Sequence, residues 1–442
     1  MRALFLGLLT VSGLSCSTMP PGMDAGVACD LKLGTPTPHS GTITANETWT
    51  AAASPHVVDF ELRVNATVTI EPCATVQLGE GARIIVGTST QPGKLVASSA
   101  AITAKDASKP WGALSVDVQG SLDFTDVVIS DGANPASAQN GGGAVLVYGV
   151  GSNTDTVTRA LRFINVTISR SKGHAVNLQR MSGFTADSRN LKVLDSGGTA
   201  APYPILVEAG AVGTLPSVTF TNTASPDVLI EPRGSMPSDT FKNIGAPYRV
   251  NGPLRVHGSA DGPASTLTIE AGVTLKFDDS AGSGMVIGTS NVRQGLLVVN
   301  GTAGAPVTFT SGKASPAPGD WQHIHFRNTP ASGNKMDFAV VAYAGAFSGL
   351  QGYGCGPIEN DASVILTPDS GRPSSAFITN TTIRDAAGDT ALLLGWVSDD
   401  SGPDFTATNT FTNVPACKVS RWRNATGTAC PGSVSGSPVC LL

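Results

Sequence analysis

Short apolar stretches recur along the chain at intervals of 20–29 residues, and Gly, Asn, Asp or Pro breaks each of them. Within a stretch, apolar residues often alternate with polar ones, as in Val166-Thr167-Ile168, which is typical of β-strands. The pattern predicts a repeating layer with two or three short strands, in which equivalent apolar residues stack inward. Two interleaved series carry it: Ile168, Val193, Phe220 and Phe241 in the first, and Leu178, Val207, Ile230 and Val250 in the second.

The chain also carries a long internal repeat, the first feature to establish in a repetitive sequence. Val68–Val76 recurs as Leu267–Leu275, and Thr219–Asn222 recurs as Thr410–Asn413. The offset between the copies rises from 199 to 215 residues and then falls by 24 at the second motif. Because each layer of a solenoid contacts only its neighbours, one whole layer can be lost without disrupting the core. We therefore expect one more coil in the first copy than in the second.

The second copy resembles the right-handed parallel β-helix, or pectin-lyase-like, fold of bacterial surface proteins. The resemblance implies an all-β solenoid with two long internal repeats and capped ends, extending from about Gly41 to Val414. The same fold carries lyases, hydrolases, adhesins and inert stalks, so it does not assign an activity. The motifs that carry it are Leu267–Phe277, Gly295–Val298, Val307–Thr310 and Gly319–Trp321.

The sequence predicts five segments. A solenoid exposes strand edges at both ends, and a cap at each end prevents pairing with other chains. The expected segments are a signal peptide at 1–15, a lipidated tether and N-terminal cap at 16–40, the first half of the β-helix at 41–246, its second half at 247–415, and a Cys-rich C-terminal cap at 416–442.

The N-terminal region predicts export and anchoring. The apolar run from Ala3 to Val11 is shorter than the ~20 residues of a membrane span and is typical of a signal peptide. Gly13-Leu14-Ser15-Cys16 resembles the lipobox of bacterial lipoproteins, which implies a lipid on Cys16; the alternative is a plain secretory signal with a chance cysteine. By the same resemblance, Ser17 implies sorting to the outer membrane. The expected protein is an outer-membrane lipoprotein, periplasmic or surface-exposed, whose partner through the lipid is the membrane.

Six further cysteines are expected to form disulfides, because an even number in an exported protein is typical of oxidised pairs. Their connectivity stays open among fifteen possibilities. We expect the first two in chain order to be partners and the four late ones to staple the C-terminal end. No C-x-x-C pair occurs, which argues against structural zinc. The six are Cys29, Cys73, Cys355, Cys417, Cys430 and Cys440.

The composition fits a turn-rich exported β protein. Charged residues make up 14% of the 442 residues, against ~25% in an average soluble protein, while Gly (51) and Pro (29) are abundant. With 28 basic and 33 acidic residues the net charge is −5, so the basic footprint of a nucleic-acid-binding protein is absent and no nucleic-acid partner is expected.

Two pairs of residues are candidate metal ligands. Asp123 and Asp131 lie in the densest acidic stretch, and if they border one outward surface they offer oxygen ligands to calcium. His323 and His325 flank Ile324 and would share one face of a strand, about 7 Å apart, which permits a two-histidine site. The alternative for the histidines is a polar outward face. No third ligand is evident, so we expect no metal and no cofactor, with calcium as the alternative.

No catalytic residue is predicted. Gly173-His174-Ala175 lacks the paired Asp residues and the Arg-Ile-Lys segment of polygalacturonases with this fold. Asp278-Asp279 and Asp399-Asp400 are adjacent pairs that point to opposite faces of a strand, so neither supplies the two carboxylates of a glycosidase. Trp111 and Trp321 hold equivalent positions in the repeat, which favours packing over sugar binding.

We therefore expect a non-catalytic, lipid-anchored β-helix of the cell envelope: a stalk, an adhesin or a module that contacts a polysaccharide or cell-surface ligand. The alternative is a carbohydrate-active enzyme, either a polysaccharide lyase or a glycoside hydrolase. An outward cluster of two carboxylates with an Arg or Lys on neighbouring coils would favour this alternative. A third hypothesis gives binding to the loops Gly132–Gly151 and Gly345–Asp361, since function often resides in long loops on a rigid scaffold.

Overall fold

The alternation of side chains along the short strands builds the fold. In Thr67–Ile70, Val68 and Ile70 are buried while the two threonines are partly exposed, because successive residues of a strand point to opposite faces. In this computed structural model, stacked strands of this kind form a right-handed parallel β-helix around one continuous core. The structure describes residue 29 and residues 34–137, 142–151, 155–278, 282–289, 292–327, 332–348, 361–367, 373–388, 390–397, 402–414, 417–423 and 439–440.

The first repeat supplies the strands β1 (Thr37–Pro38), β2 (Gly41–Ile43), β3 (Glu47–Trp49), β4 (His56–Val58), β5 (Glu61–Val64), β6 (Thr67–Ile70), β7 (Thr75–Leu78), β8 (Arg83–Val86), β9 (Gly93–Ser98), β10 (Ala101–Ala104), β11 (Ala113–Val116), β12 (Gly120–Thr125), β13 (Val128–Ser130), β14 (Gly143–Tyr148), β15 (Thr158–Ile164), β16 (Thr167–Ser169), β17 (His174–Gln179), β18 (Ser182–Phe184), β19 (Leu191–Leu194), β20 (Ile205–Glu208), β21 (Val218–Thr221) and β22 (Val228–Glu231). Short 3₁₀ helices lie at Ala51–Ala53, Pro135–Ser137 and Val212–Thr214.

The second repeat supplies β23 (Asp239–Phe241), β24 (Tyr248–Val250), β25 (Pro253–Val256), β26 (Ser265–Glu270), β27 (Thr274–Phe277), β28 (Gly284–Ile287), β29 (Gly295–Asn300), β30 (Val307–Ser311), β31 (Ile324–Arg327), β32 (Lys335–Asp337), β33 (Ala339–Ala342), β34 (Ala362–Thr367), β35 (Ile378–Thr379), β36 (Thr382–Arg384), β37 (Thr390–Val397), β38 (Thr410–Thr412), β39 (Cys417–Arg423) and β40 (Val439–Cys440).

Strands from successive coils pair in parallel, and the described strands form five sheets. Sheet A has the order β1-β4-β7-β10-β13-β16-β19-β21, and sheet C has the order β18-β15-β12-β9-β6-β3. Sheet B has the order β2-β5-β8-β11-β14-β17-β20-β22-β24-β27-β30-β33-β36-β38. Sheet D has the order β23-β26-β29-β32-β35, and sheet E has the order β25-β28-β31-β34-β37-β39-β40. Among these pairs only β39 and β40 are antiparallel.

The predicted stacking of the first apolar series is confirmed as far as Phe220. Ile168 pairs with Val193, and Val193 pairs with Phe220, on consecutive coils of sheet A. Phe241 does not continue this column, so that part of the prediction is wrong. It lies in β23 of sheet D and pairs with Ile269, because sheet A ends at β21.

The second apolar series is confirmed throughout. Its four members pair one after another on consecutive strands of sheet B and are fully buried, so the local period of 20–29 residues is the length of one coil. The pairs are Leu178 with Val207, Val207 with Ile230, and Ile230 with Val250.

The first repeat has one coil more than the second, as the fall in offset predicts. In the first, β19 separates β16 from β21. In the second, the equivalent strands β36 and β38 pair directly, with Ile383 opposite Phe411.

The two repeats do not stack with like faces in line. Equivalent residues Ile168 and Ile383 lie in sheets A and B, and the equivalent residues Trp111 and Trp321 precede strands of sheets B and E. Sheet A ends at β21, sheet E begins at β25, and of the five sheets formed by the described strands only sheet B runs through both repeats. The second-repeat strands of sheet B are therefore equivalent to the first-repeat strands of sheet A. They stack on first-repeat strands that form a different face.

The two equivalent tryptophans have the packing role that the repeat predicts. Both are buried. The Nε1–H of Trp111 donates a hydrogen bond of 2.7 Å to the carbonyl oxygen of Ser130, and that of Trp321 donates one of 2.9 Å to the carbonyl oxygen of Ala342. Each indole thus ties the segment before one strand to the end of a later strand, β13 or β33.

Asp and Asn side chains hold the corners of successive coils. Asp126, Asn165 and Asn190 have φ angles of 54°, 54° and 55°, a left-handed conformation that Asn and Asp tolerate better than most residues. Asn165 Nδ2 donates to Asp126 Oδ1, and Asn190 Nδ2 donates to Asn165 Oδ1, both at 2.9 Å. This ladder links three coils along one edge.

The ends and loops differ in detail from the prediction. Cys29 and Cys73 form a disulfide that ties the chain before the first coil to the corner after β6. That first coil already begins at β1, inside the predicted N-terminal cap. The predicted loop at 132–151 contains β14, and most of the loop at 345–361 lies outside the described residues. Within the described part of the chain, no helix is long and apolar enough to cross a membrane.

Candidate functional site

A groove of about 610 Å³ opens on the outer side of sheet B, where the two repeats meet. It lies beside the start of β25, at the point where sheet E begins. The change of faces leaves a step in the outer surface, and concave steps of this kind are where ligand sites usually form. The lining residues are Leu206, Leu229, Ile230, Glu231, Pro232, Arg233, Gly234, Asn251, Pro253 and Arg255.

Two glutamates lie on neighbouring coils of sheet B here, and Glu231 is the one that lines the groove. Glu208 ends β20 and Glu231 ends β22, and the two residues are opposite each other in the parallel ladder. Adjacent strands lie about 4.8 Å apart, so the side chains start from neighbouring points on one face. Each follows an inward residue of the second apolar series, Val207 or Ile230, and alternation therefore directs each glutamate outward.

Glu208 is the more deeply held of the two. It is 6% exposed, and its Oε2 accepts a hydrogen bond of 2.7 Å from the backbone N–H of Met181. Its Oε1 lies 4.0 Å from Nε of Arg233, whose side chain is also buried. A charge-assisted contact to an arginine and a backbone donor together fix this carboxylate in place.

Glu231 faces the groove and keeps contact with solvent. Its partial burial, followed by the neighbouring charge of Glu208, raises the pKa of the Glu231 carboxyl. A carboxyl of raised pKa beside a second carboxylate is a feature from which the role of general acid is assigned in hydrolases.

The floor of the groove is apolar and its rim is polar. Leu206 and Leu229 are outward neighbours on β20 and β22, and Pro232 and Pro253 line the same space. Arg255 adds an outward guanidinium from β25. A surface of this kind offers apolar contact to a flat molecule together with donors and acceptors for its hydroxyl groups.

His257 supports the rim. Its Nε2 lies 3.1 Å from the carbonyl oxygen of Gly234, and its Nδ1 lies 2.9 Å from the carbonyl oxygen of Gly258. The ring is buried and bridges two turns beside the groove. Its role in the fold is therefore to hold Gly234 in position.

An ionic cluster continues the outer face of sheet B beyond the groove. Arg249 lies opposite Leu229 in the ladder and pairs with Asp278 and Asp227. Asp227 also accepts a hydrogen bond of 2.7 Å from Nζ of Lys276. Asp278, a member of an adjacent pair in the sequence, thus neutralises an arginine, and its neighbour Asp279 lies outside the described residues.

The two acidic calcium candidates do not share a surface, so that expectation is wrong. Asp123 lies in β12 of sheet C and pairs with Lys94 and Arg162. Asp131 follows β13 of sheet A, and Arg170 donates to both of its oxygens. A corner of the coil separates the two residues, and lysine or arginine side chains already pair with both carboxylates.

The histidine candidates share a face, as the alternation predicts, but that face is not a solvated one. Ile324 points into the core, while His323 and His325 lie on the opposite side of sheet E and are 4% and 3% exposed. Burial lowers the pKa of His323 to about 4, and it lowers the pKa of His325 as well. Within the described ranges, no group of three or more His, Cys, Asp or Glu side chains is placed to hold a metal ion.

The other predicted residues are distributed as follows. Cys417 is disulfide-bonded, and Cys440 lies in β40 opposite Ser420. His174 is buried, with Nδ1 2.5 Å from the carbonyl oxygen of Tyr203. Outside the described residues lie Cys16, Cys355, Cys430, Asp399 and Asp400.

Sequence reasoning missed the paired glutamates, although a signal was present. The second apolar series is followed by one polar residue in each coil: Gln179 after Leu178, Glu208 after Val207, Glu231 after Ile230 and Asn251 after Val250. Because the series members stack, the residues that follow them form an outward column. A search for polar residues in phase with an apolar period would have found it.

Residues 234–366, about 30% of the chain, match the family model of the pectate-lyase like β-helix domain. No curated protein and no solved structure matches the chain. The matched segment starts at Gly234 on the rim of the groove and ends within β34. Over the junction and most of the second repeat, the chain is therefore similar to pectate-lyase-like β-helix domains.

Proposed function

We propose that this protein is a β-helix of the cell envelope that binds a polysaccharide in the groove between its repeats. The observation that carries the proposal is the groove itself, in which Glu231, Arg233 and Arg255 lie above an apolar floor and Glu208 lies on the coil next to Glu231. Carboxylate, amide and guanidinium groups hydrogen-bond to sugar hydroxyls, while leucine and proline contact the apolar faces of sugar rings.

The polar column gives the site a direction. Gln179, Glu208, Glu231 and Asn251 follow one another on consecutive coils, and Tyr148 precedes them opposite Gln179. Coils are about 4.8 Å apart, so an extended chain laid along the solenoid axis would meet one polar side chain at each step. This regular spacing fits a linear polymer better than a small compact ligand.

The test is affinity electrophoresis against a panel of neutral and acidic polysaccharides with the mature protein. Arg255→Ala should weaken binding about tenfold or more, because hydrogen bonds to charged groups contribute about 1.5–3 kcal/mol. The matched control is Arg63→Ala, an outward arginine of sheet B in β5, several coils away from the groove. If the wild type and Arg255→Ala bind equally to every polysaccharide that slows the wild type in the gel, the groove is not the binding site.

A second candidate function is glycoside hydrolysis, favoured by the raised pKa of Glu231 beside a second carboxylate. In such a reaction Glu231 would protonate the leaving oxygen. Glu208, on the neighbouring coil, would be the second carboxylate, which either attacks the sugar carbon or activates a water molecule. Release of reducing ends from a bound polymer that is lost in Glu231→Gln, with binding retained, would establish it. Binding with no release by the wild type would leave the protein a non-catalytic module.

The anchoring part of the proposal rests on Cys16, which the lipobox resemblance places as the lipidated residue. In a lipoprotein-competent bacterium, labelled palmitate should enter the wild-type protein and not Cys16→Ser, and the wild type should fractionate with the outer membrane. Labelling that survives Cys16→Ser would contradict lipidation at this residue. This outcome is independent of polysaccharide binding.

A further inference from the structure

The outer face of sheet E carries two imidazoles that the proposed groove does not use. His323 precedes β31 and His325 lies within it, with Ile324 between them in the core. The two ring centroids are 5.6 Å apart and the ring planes meet at 83°. The neighbouring strand β34 places Ser363 beside His323, since Ile324 pairs with Val364 in the ladder.

Polar atoms at this place are buried without partners. Nδ1 of His323 and Oγ of Ser363 are inaccessible and make no hydrogen bond within the described part of the chain. His325 is held through Nε2, 2.7 Å from Oγ1 of Thr367. An unsatisfied buried polar atom typically costs about 1–3 kcal/mol. Two such atoms lie on adjacent strands next to a second imidazole. This arrangement indicates that a bound ligand, and not another side chain, is their partner.

We propose that His323 and His325 bind one divalent transition-metal ion of the zinc, copper and nickel class on the outer face of sheet E. Imidazole nitrogen is a preferred ligand of these ions. Two imidazoles on one tetrahedral ion, at about 2.0–2.1 Å from the metal, have ring centroids about 5–6 Å apart. The separation of the two rings agrees with that geometry.

The surroundings fit a transition metal better than calcium or magnesium. In register with β31, β34 presents Ser363, Ile365 and Thr367, and β28 presents Val286 opposite His325; these side chains offer hydroxyl groups and no carboxylate. Calcium and magnesium require several oxygen ligands, usually including carboxylates. Ser363 Oγ and water would complete the coordination.

The test uses the full mature chain after dialysis against EDTA. Titration with Zn²⁺ by calorimetry should show one equivalent bound, and titration with Ca²⁺ should show none. His323→Asn and His325→Asn should each weaken Zn²⁺ binding at least tenfold. The matched controls are His257→Asn, a buried histidine with both nitrogens occupied, and His39→Asn from the other histidine pair of the protein. Unchanged affinity in both test variants, or loss of binding in His39→Asn, would overturn the proposal.

A measurement on the wild type covers the case in which a variant fails to fold. Pulsed electron paramagnetic resonance of the protein with one equivalent of Cu²⁺ should show two coordinated imidazoles. A spectrum with no imidazole, or no bound copper, would refute the site. Ser363→Ala keeps the strand intact and should weaken Zn²⁺ binding severalfold.

Discussion

At the level of single residues, the inward positions of sheet A depend on apolar side chains alone. Val193 is fully buried between Ile168 on one coil and Phe220 on the next. No polar partner could satisfy a charge in that column. Asn190, three residues earlier, sits on the corner ladder and is exposed to solvent.

Val193→Asp should therefore lower the free energy of unfolding by about 3–5 kcal/mol, the usual cost of an unpaired buried charge. Asn190→Asp keeps a residue that tolerates the left-handed conformation and loses one side-chain donor, so it should cost about 1 kcal/mol. Urea denaturation of the two variants against the wild type measures both. Similar destabilisation by the two changes would contradict the stacked core.

Ser196, unlike Asn190, should not tolerate aspartate. It is buried, and its Oγ accepts a hydrogen bond from the N–H of Ser171 and donates one to the carbonyl oxygen of Leu194. Strand alternation shows which face a residue occupies, but it does not show whether a neighbouring coil covers that face. The same limit explains why the burial of His325 could not be predicted.

At the level of elements, the first coil contains a cluster of three rings that connects its strands. Trp49 of β3 stacks on both His39 and His56, with ring centroids 4.2 Å and 5.3 Å away, and the two imidazole centroids are 5.2 Å apart. Nε2 of His39 and Nδ1 of His56 are 2.9 Å apart, and Glu47 lies 3.9 Å from the other nitrogen of His39. Burial, and then the charge of His56, lowers the pKa of His39, while Glu47 opposes the shift.

The first coil should therefore loosen in acid. Since the folded state disfavours protonation of His39, the unfolded state binds more protons, and stability falls as the pH drops through the ordinary histidine pKa of about 6.5. Hydrogen exchange of residues 37–49 at pH 7.5 and pH 5.5 measures the effect. His39→Asn should remove most of the difference, and an identical pH response in that variant would exclude His39 as its source.

At the level of the whole molecule, the sequence predicts the coil length and the extra coil of the first repeat better than it predicts the site. Stacking of Ile168, Val193 and Phe220 follows from a local period, because each coil repeats the same three-sided path. The error at Phe241 has a different origin. Whether Phe241 continues the column depends on where sheet A ends, and a local period does not show that end. The groove arises at that same step, so the placing of Glu231 and Arg255 in one groove could not be predicted without knowing how the faces shift.

Deletion of residues 192–218 tests the solenoid as a whole. It joins Leu191 to Thr219 in the register that β19 and β21 already share, and it copies the direct pairing of β36 with β38. Circular dichroism should show a folded β protein, because the remaining coils still stack on neighbours. Glu208 is removed with its coil, so polysaccharide binding should be lost. Loss of all structure would contradict the independence of the coils.

The change of faces between the repeats also has a mechanical consequence. Tension along the solenoid is resisted by ladders of backbone hydrogen bonds, and within the described strands only the ladder of sheet B crosses from β22 to β24. A solenoid held at one end and pulled at the other would therefore yield first at this crossing. The groove lies on the crossing itself, so the force needed to part the two halves would also open the binding surface and release the polymer before either half unravels.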